Sequence, residues 1–277
     1  MPLGDLAIFD RNDCANFGFN CYKQAVAASG GGIATKVWRA RQVSSKTFVL
    51  VHGAWHGGWA WHRVVDRLRA LGHIVFAPTL TGLGERAHLL HPGINLSLHV
   101  ADVLGVIKYE RLDDFVLVGH SIGGCIVSGV AEAVPNAIRS IVFLDAFIPD
   151  DGDAMIDLVP PGVHDVIQAA LKRGESTVPV RDAAAFRVNE KDRAWVDSLA
   201  GPQPIGTMTE RLKITGAREQ IPKKTYIRAI GYPNVSFDKA LARVKTDPSW
   251  RTYEVPGGHD VMINEPDRLV EILLEVA

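Results

Sequence analysis

The sequence predicts an α/β protein, a doubly wound and mostly parallel sheet with an inserted helical cap. Three observations predict it. Short apolar runs such as KTFVLVHG (46–53), DFVLVGHSIGG (114–124) and RSIVFLDAFIP (139–149) are nearly continuous, as strands buried on both faces are. Segments with apolar residues at helical spacing alternate with them. Over residues 150–222 that rhythm breaks into VPPG, GPQPIG and helical pieces such as HDVIQAALKRG. A cap over the carboxyl edge of the sheet fits this stretch, because ligands bind at that edge in such folds.

Taken in order, KTFVLVHG is the first buried strand. GWAWHRVVDRLRALG (58–72) follows as a helix, with Trp61, Val64, Val65, Leu68 and Leu71 on one face and Gly72 as its stop. HIVFAP (73–78) is the next strand. NLSLHVADVLGVIKYE (95–110) sets Leu96, Val100, Val103, Leu104 and Ile107 on one helical face. Residues 114–124 read as strand and tight turn, GCIVSGVAEAV (124–134) as the helix after it, and 139–149 as a further strand. Past the cap come the strand KTYIRAI (224–230), a helix around FDKALARVK (237–245), the strand SWRTYEVPG (249–257) and the terminal helix EPDRLVEILLEVA (265–277). GGIATKVWRARQ (31–42) alternates enough for an edge strand. The chain of 277 residues thus divides into an N-terminal extension (1–44), a core (45–149 and 223–277) and a cap (150–222).

Hydrophobic residues make up 47% and charged residues 22% of the chain, enough apolar material for a sizeable core. Basic and acidic residues nearly cancel, 30 against 31, so nothing points to nucleic acid or an anionic membrane surface as partner. No apolar run approaches the roughly 18 residues of a membrane span. Three cysteines, Cys14, Cys21 and Cys125, do not make a disulfide framework. Cys14 and Cys21 are a conceivable pair, but reduced thiols in a cytoplasmic protein are the reading taken. QAVAASGGG resembles a cleavage region, yet no basic or apolar segment of a signal peptide precedes it. A homodimer is left open.

Three motifs carry chemistry. In VLVGHSIGG, Gly119-His120-Ser121-Ile122-Gly123 joins a strand to a helix, the nucleophile-elbow pattern that exposes a serine on a sharp turn. In FVLVHGAWHGGW, the loop after an earlier strand can offer the Ala54 amide to an oxyanion, beside the Ile122 amide that follows the serine. In VPGGHDVMINEPDRL, His259 sits on a glycine-rich loop between the last strand and last helix, where a general base can reach the serine. His52 reads as a structural histidine and Cys125 as a core residue. Trp55, His56, Phe147, Trp195 and Met208 are expected in the substrate pocket, with Met155 and Leu158 as further cap residues near it. No metal or organic cofactor is called for.

FVLVHGAWHGGWAW, TLTGLGERAH, VLVGHSIGG, IVFLDAFIPDDG and GGHDVMINEPDRL together resemble the α/β-hydrolases, in the branch that holds plant methylesterases, hydroxynitrile lyases and bacterial esterases. The resemblance runs from about Lys46 to the C-terminus. It implies the α/β-hydrolase fold, Ser121 as nucleophile, His259 as base, and Ala54 and Ile122 as oxyanion amides. In the plant members the catalytic acid follows the strand that here reads YIRAI, and an ungapped match falls on Gly231 and Tyr232. Neither can orient an imidazolium electrostatically. Asp145, ending a strand after an apolar run, is the acid preferred here, since a carboxylate there needs a partner to be buried. Asp238 is the alternative, with a helix-capping role as its plainer reading. Asp260 adjoins His259, and neighbouring side chains point apart; Asp247 reads as a turn residue.

The expected activity is a serine esterase acting on small to medium carboxylic esters, with related carbamates or amides in range. A hydroxynitrile-lyase-like C–C lyase is the first alternative. The lyases it resembles carry a threonine in the oxyanion loop and a lysine after the histidine, where this chain has Gly53 or Ala54 and Asp260. A non-catalytic ligand receptor on the same fold is the second.

Overall fold

The computed structural model describes residues 44–277 and the backbone of two short strands before them, β1 (Cys21–Ala25) and β2 (Lys36–Ala40). These two pair antiparallel in a sheet of their own. The edge strand expected from residues 31–42 is therefore a strand, but one in a local ribbon apart from the main sheet. A Cys14–Cys21 pairing lies outside the described residues.

From β3 (Thr47–Val51) the chain runs through α1 (His62–Ala70), β4 (Ile74–Phe76), α2 (Leu96–Tyr109), β5 (Phe115–His120), α3 (Gly123–Ala133) and β6 (Ile138–Leu144). The inserted segment then holds α4 (Met155–Leu158), α5 (Pro161–Lys172), β7 (Thr177–Val178), α6 (Glu190–Leu199), β8 (Gln203–Pro204) and α7 (Gly206–Thr209). It is mainly helical, and β7 and β8 pair as a small antiparallel clip. The core resumes with β9 (Lys223–Ala229), α8 (Val235–Lys245), β10 (Trp250–Val255), α9 (Val261–Asn264) and α10 (Pro266–Val276).

Six strands form one parallel sheet in the order β10-β9-β6-β5-β3-β4. The central strands are covered on both faces, which is why their sequences are apolar without alternation: every residue of β5 is buried. The edge strand β10 is only partly buried, with Arg251 and Glu254 exposed and Trp250, Thr252 and Tyr253 half-buried. Helix α1 turns Val64, Val65 and Leu68 into the core, but Leu71, expected on that face, is exposed because the helix has already ended there, just before Gly72 at φ 84°. Helix α2 is capped by Asn95, whose side chain accepts from the Leu98 amide at 2.9 Å. Among the described residues no helix is long and apolar enough to cross a membrane.

The order places the site. From β3 the chain moves outward to β4 and then returns to β5 on the other side of β3. The loops leaving β3 and β5 diverge there, and such a switch point opens a crevice at the carboxyl ends of the strands. The loop after β3 carries Ala54, and the turn after β5 carries Ser121.

Candidate active site

Ser121 stands on the turn between β5 and α3 with φ 57°, the left-handed region that few residues other than glycine adopt. The turn closes through Gly124 N–H donating to Ser121 O at 3.0 Å, and the Ser121 amide donates to Leu144 O at 3.3 Å. A side chain at Gly119 would come within 2.5 Å of Gly123 O, so the glycine is a steric requirement of the tight turn. Of the six described non-glycine residues with positive φ, three are Trp55, Ser121 and Asp145. Backbone strain of this kind gathers at functional sites.

His259 Nδ1 lies 2.7 Å from Asp145 Oδ2, and both side chains are buried. The other carboxylate oxygen of Asp145 accepts from Arg228 Nη1 at 2.8 Å and from the Ala229 amide at 3.0 Å. Asp145 is fully buried, so its charge depends on these partners. The strand end YIRAI thus holds no acid of its own. It supplies the cation and the amide that hold an acid from the neighbouring strand. Arg228 continues outward to Asp238, with Nε 2.9 Å from Oδ1, and Asp238 is otherwise exposed. The helix beginning there is capped by Asn234, whose side chain accepts from Ser236 N at 3.0 Å, so Asp238 neither caps it nor meets His259. Asp247 bonds the Ser249 amide at 2.8 Å as a turn residue. Burial strips Arg228 of solvent, yet the pull of Asp145 and Asp238 outweighs it and raises its proton affinity. Tyr232 and Phe237 stack on the His259 ring, at centroid distances of 4.7 and 5.3 Å.

The loop after β3 lies against the serine. A Cβ on Gly53 would sit 2.7 Å from His120 Nδ1 and 3.0 Å from Ser121 Cβ, so only glycine lets this loop approach. The Leu80 amide donates to His52 Nε2 at 3.1 Å, which leaves the ring proton on Nδ1 to donate to Gly53 O at 2.8 Å. That bond fixes the peptide plane whose other pole is the Ala54 amide. Burial, above all, lowers the His52 pKa to about 3, so the ring stays neutral in this role. Neither the Ala54 nor the Ile122 amide donates to another described group. Two backbone donors are therefore free beside the serine, the arrangement an oxyanion needs.

The family model for the alpha/beta hydrolase family matches residues 48–272. The chain belongs to that family. The hydrolase is 39% identical over 235 residues to a carbendazim hydrolyzing esterase of Nocardioides sp. (strain SG-4G), covering 82% of this chain and 97% of the relative. It is 27% identical over 263 residues to Esterase PIR7B of Oryza sativa subsp. japonica, covering 84% of this chain and 96% of that one. Among solved structures it is similar to an extracellular alpha/beta-hydrolase from a Paenibacillus species, described as sharing structural and functional homology with tobacco Salicylic Acid Binding Protein 2. That match has a TM-score of 0.73 and 27% identity, over 84% of this chain and 99% of that one. Fold and relatives together make the chain an esterase-type enzyme.

Ser121 and His259 line one cavity of the hydrolase, of about 460 Å³. Trp55, Phe147 and Met208 line it, and so does Met155. His56 and Trp195 do not. His56 points inward to Asp260, and Trp195 packs edge-on against Trp59 at 5.3 Å with the Arg63 guanidinium over its ring. Leu158 faces a neighbouring cavity that shares Phe147, Val159 and Pro160 with the first. Cys125 is buried on α3, and burial pushes its thiol pKa up to about 12, so it is inert at neutral pH. Sequence reasoning missed Gln203, whose Oε1 accepts from the Trp55 amide at 2.9 Å and so ties the cap to the loop after β3. It also missed Arg228. Arg228, set between Ile227 and Ala229 at the carboxyl end of a strand read as buried, was the available signal, since burying a cation there demands a buried anion.

Proposed function

We propose that this esterase works through an acyl-enzyme on Ser121, with His259 as general base, Asp145 as the acid that orients it, and the Ala54 and Ile122 amides as oxyanion donors. The strongest support is the 2.7 Å hydrogen bond between His259 and Asp145 at the wall of the cavity that Ser121 also lines. With Nδ1 committed to Asp145, Nε2 is left for the serine. No described residue hydrogen-bonds the Ser121 hydroxyl, His259 included, and such bonds commonly tighten only when substrate is bound. The Ser121 proton passes to Nε2 as Oγ bonds the ester carbon, and the carbonyl oxygen takes up negative charge between the two amides. The C–O bond to the alcohol then breaks, and the alcohol leaves with the proton from Nε2. Water, losing a proton to the same nitrogen, attacks the acyl carbon; the acid departs and the proton returns to Oγ.

The cavity suits small to medium esters with an apolar or aromatic body, since Trp55, Phe147, Phe186, Tyr232 and Phe237 are among its walls. Among the described residues, Arg181 is its one lining residue with a fixed charge, and no carboxylate lines it. Neutral esters and those bearing an acidic group therefore fit better than cationic ones. Carbamates of planar aromatic systems, carbendazim among them, are the probes that the Nocardioides relative recommends. The lyase reading loses ground because Asp260, where the lyases carry lysine, is turned away from the cavity. The setting proposed is the cytoplasm, on the sparse cysteines and the free thiol of Cys125.

The test is covalent labelling. Diethyl p-nitrophenyl phosphate should phosphorylate Ser121, located by peptide mass spectrometry, and should abolish turnover of p-nitrophenyl acetate in step. The Ser121→Ala protein should take no label and show no turnover above background. Turnover by that variant at the wild-type rate would end the serine reading.

A further inference from the structure

Beneath the site lie three buried ionisable side chains with no part in the steps above: His56, His120 and Asp260. His56 Nδ1 is 2.6 Å from Ala54 O, and His56 Nε2 is 3.1 Å from Asp260 Oδ2. Both partners only accept. An imidazole that satisfies both must carry a proton on each nitrogen, so the pair is an imidazolium and a carboxylate. Burial works against both charges. For His56 the attraction of Asp260 and its hydrogen bonds outweigh burial, and its proton affinity rises. For Asp260 they hold the carboxyl down to about 2. His120 faces the pair from the elbow, with Nε2 3.9 Å from Asp260 Oδ1, and it donates that nitrogen's proton to His259 O at 3.1 Å. Burial first, and then His259, depress its proton affinity, so it adds no second cation. His52 and His259 are the remaining titratable neighbours that act on these groups.

The two ends of this pair sit on the two loops that have to meet over the substrate. Ala54 O shares a peptide plane with the Trp55 amide. That plane is held on one side by His56 and on the other by Gln203, 2.9 Å from the Trp55 nitrogen. Asp260 directly follows His259. We propose that the His56–Asp260 ion pair is a positioning device for the reaction: it locks the loop that presents the Ala54 amide and ties it to the loop that carries His259. The device rests on the role given above to the Ala54 amide. It acts on the transition state, because the amide is needed most when the carbonyl oxygen becomes charged. Substrate binding itself, governed by the cavity walls, depends on it little.

The test uses His56→Gln and Asp260→Asn, the second keeping size and an acceptor while removing charge. With p-nitrophenyl acetate, kcat should fall by about 10–100-fold in each, less than or near the loss of a whole oxyanion donor, with KM within about threefold. Affinity for a trifluoromethyl ketone, which forms a charged adduct with the serine, should fall by the same factor as kcat/KM. Folded variants that keep kcat within about twofold, or that lose only melting temperature, would overturn the proposal. Ring-nitrogen NMR of the wild type reads the pair without any variant: both His56 nitrogens should stay protonated to a higher pH than those of a free imidazole, and a single protonated nitrogen at pH 6 would overturn it. A wild-type protein inert towards every ester tried would remove the esterase reading and the proposal together, a result the variants alone could not produce.

Discussion

Asp145 and Asp238 both reach Arg228, but only Asp145 meets His259. Their surroundings separate them further. The Asp145 side chain is fully buried, whereas that of Asp238 is 62% exposed. Arg228→Met would leave Asp145 buried without its cation, and breaking such a pair costs about 3–5 kcal/mol. The expected outcome is a marked drop in melting temperature together with a loss of kcat/KM. Asp238→Asn removes an exposed partner worth about 0–1 kcal/mol and should change both only slightly. Thermal unfolding and ester kinetics on the two variants check this. A severe loss of activity in Asp238→Asn alone would contradict it. Each half of this arrangement was visible in the sequence, a carboxylate closing one apolar strand and an arginine inside another. Which buried charge answers which depends on β6 lying beside β9, and no short stretch of sequence states that.

Two loops and one elbow build the site, and the strands beneath them were the most legible elements. Their apolar runs follow from burial on both faces, so the length and composition of those runs placed β3, β5 and β6. The elbow was legible because its turn tolerates few residues. Depth was less legible. His56 and Trp195 lie near the site in sequence or in the cap, yet their side chains turn away from the cavity, since a motif fixes a loop's position more tightly than the facing of each side chain on it. The close approach of the loop after β3 gives a prediction at this scale. Gly53→Ala inserts a Cβ 3.0 Å from Ser121 Cβ and should push the Ala54 amide off the oxyanion position. A loss of kcat on the order of 10²-fold is expected in a protein that still folds. A variant as active as wild type would show that the loop carries no catalytic donor.

Across the whole molecule, His52, His99 and His120 are held neutral, chiefly by burial, with proton affinities below that of a free histidine at 6.5. The unfolded chain then binds more protons than the folded one once pH falls below about 6.5. Stability should therefore decline on acidification, and the His52 contribution keeps falling until that ring protonates near 3. His56 runs the other way: its raised affinity favours the fold below about 6.5 and is lost as pH rises through its folded value. Burial also lowers the proton affinity of His73, and His56 adds no slope below about 6.5, so the melting temperature should fall between about pH 7 and pH 4, and a flat profile there would contradict this. The cavity makes a second prediction at this scale. Arg181 faces it with no carboxylate among the described lining residues, so a choline ester should be turned over at least about tenfold less well than a neutral ester of equal size, and Arg181→Glu should narrow that gap. The central claim remains that the catalytic acid comes from the end of β6. The measurement that tests it most directly is kcat/KM for p-nitrophenyl acetate in wild type and Asp145→Asn, with Ser121→Ala as the background. A loss on the order of 10³–10⁴-fold, with the fold intact, is the predicted result. Nearly full activity in Asp145→Asn would contradict it.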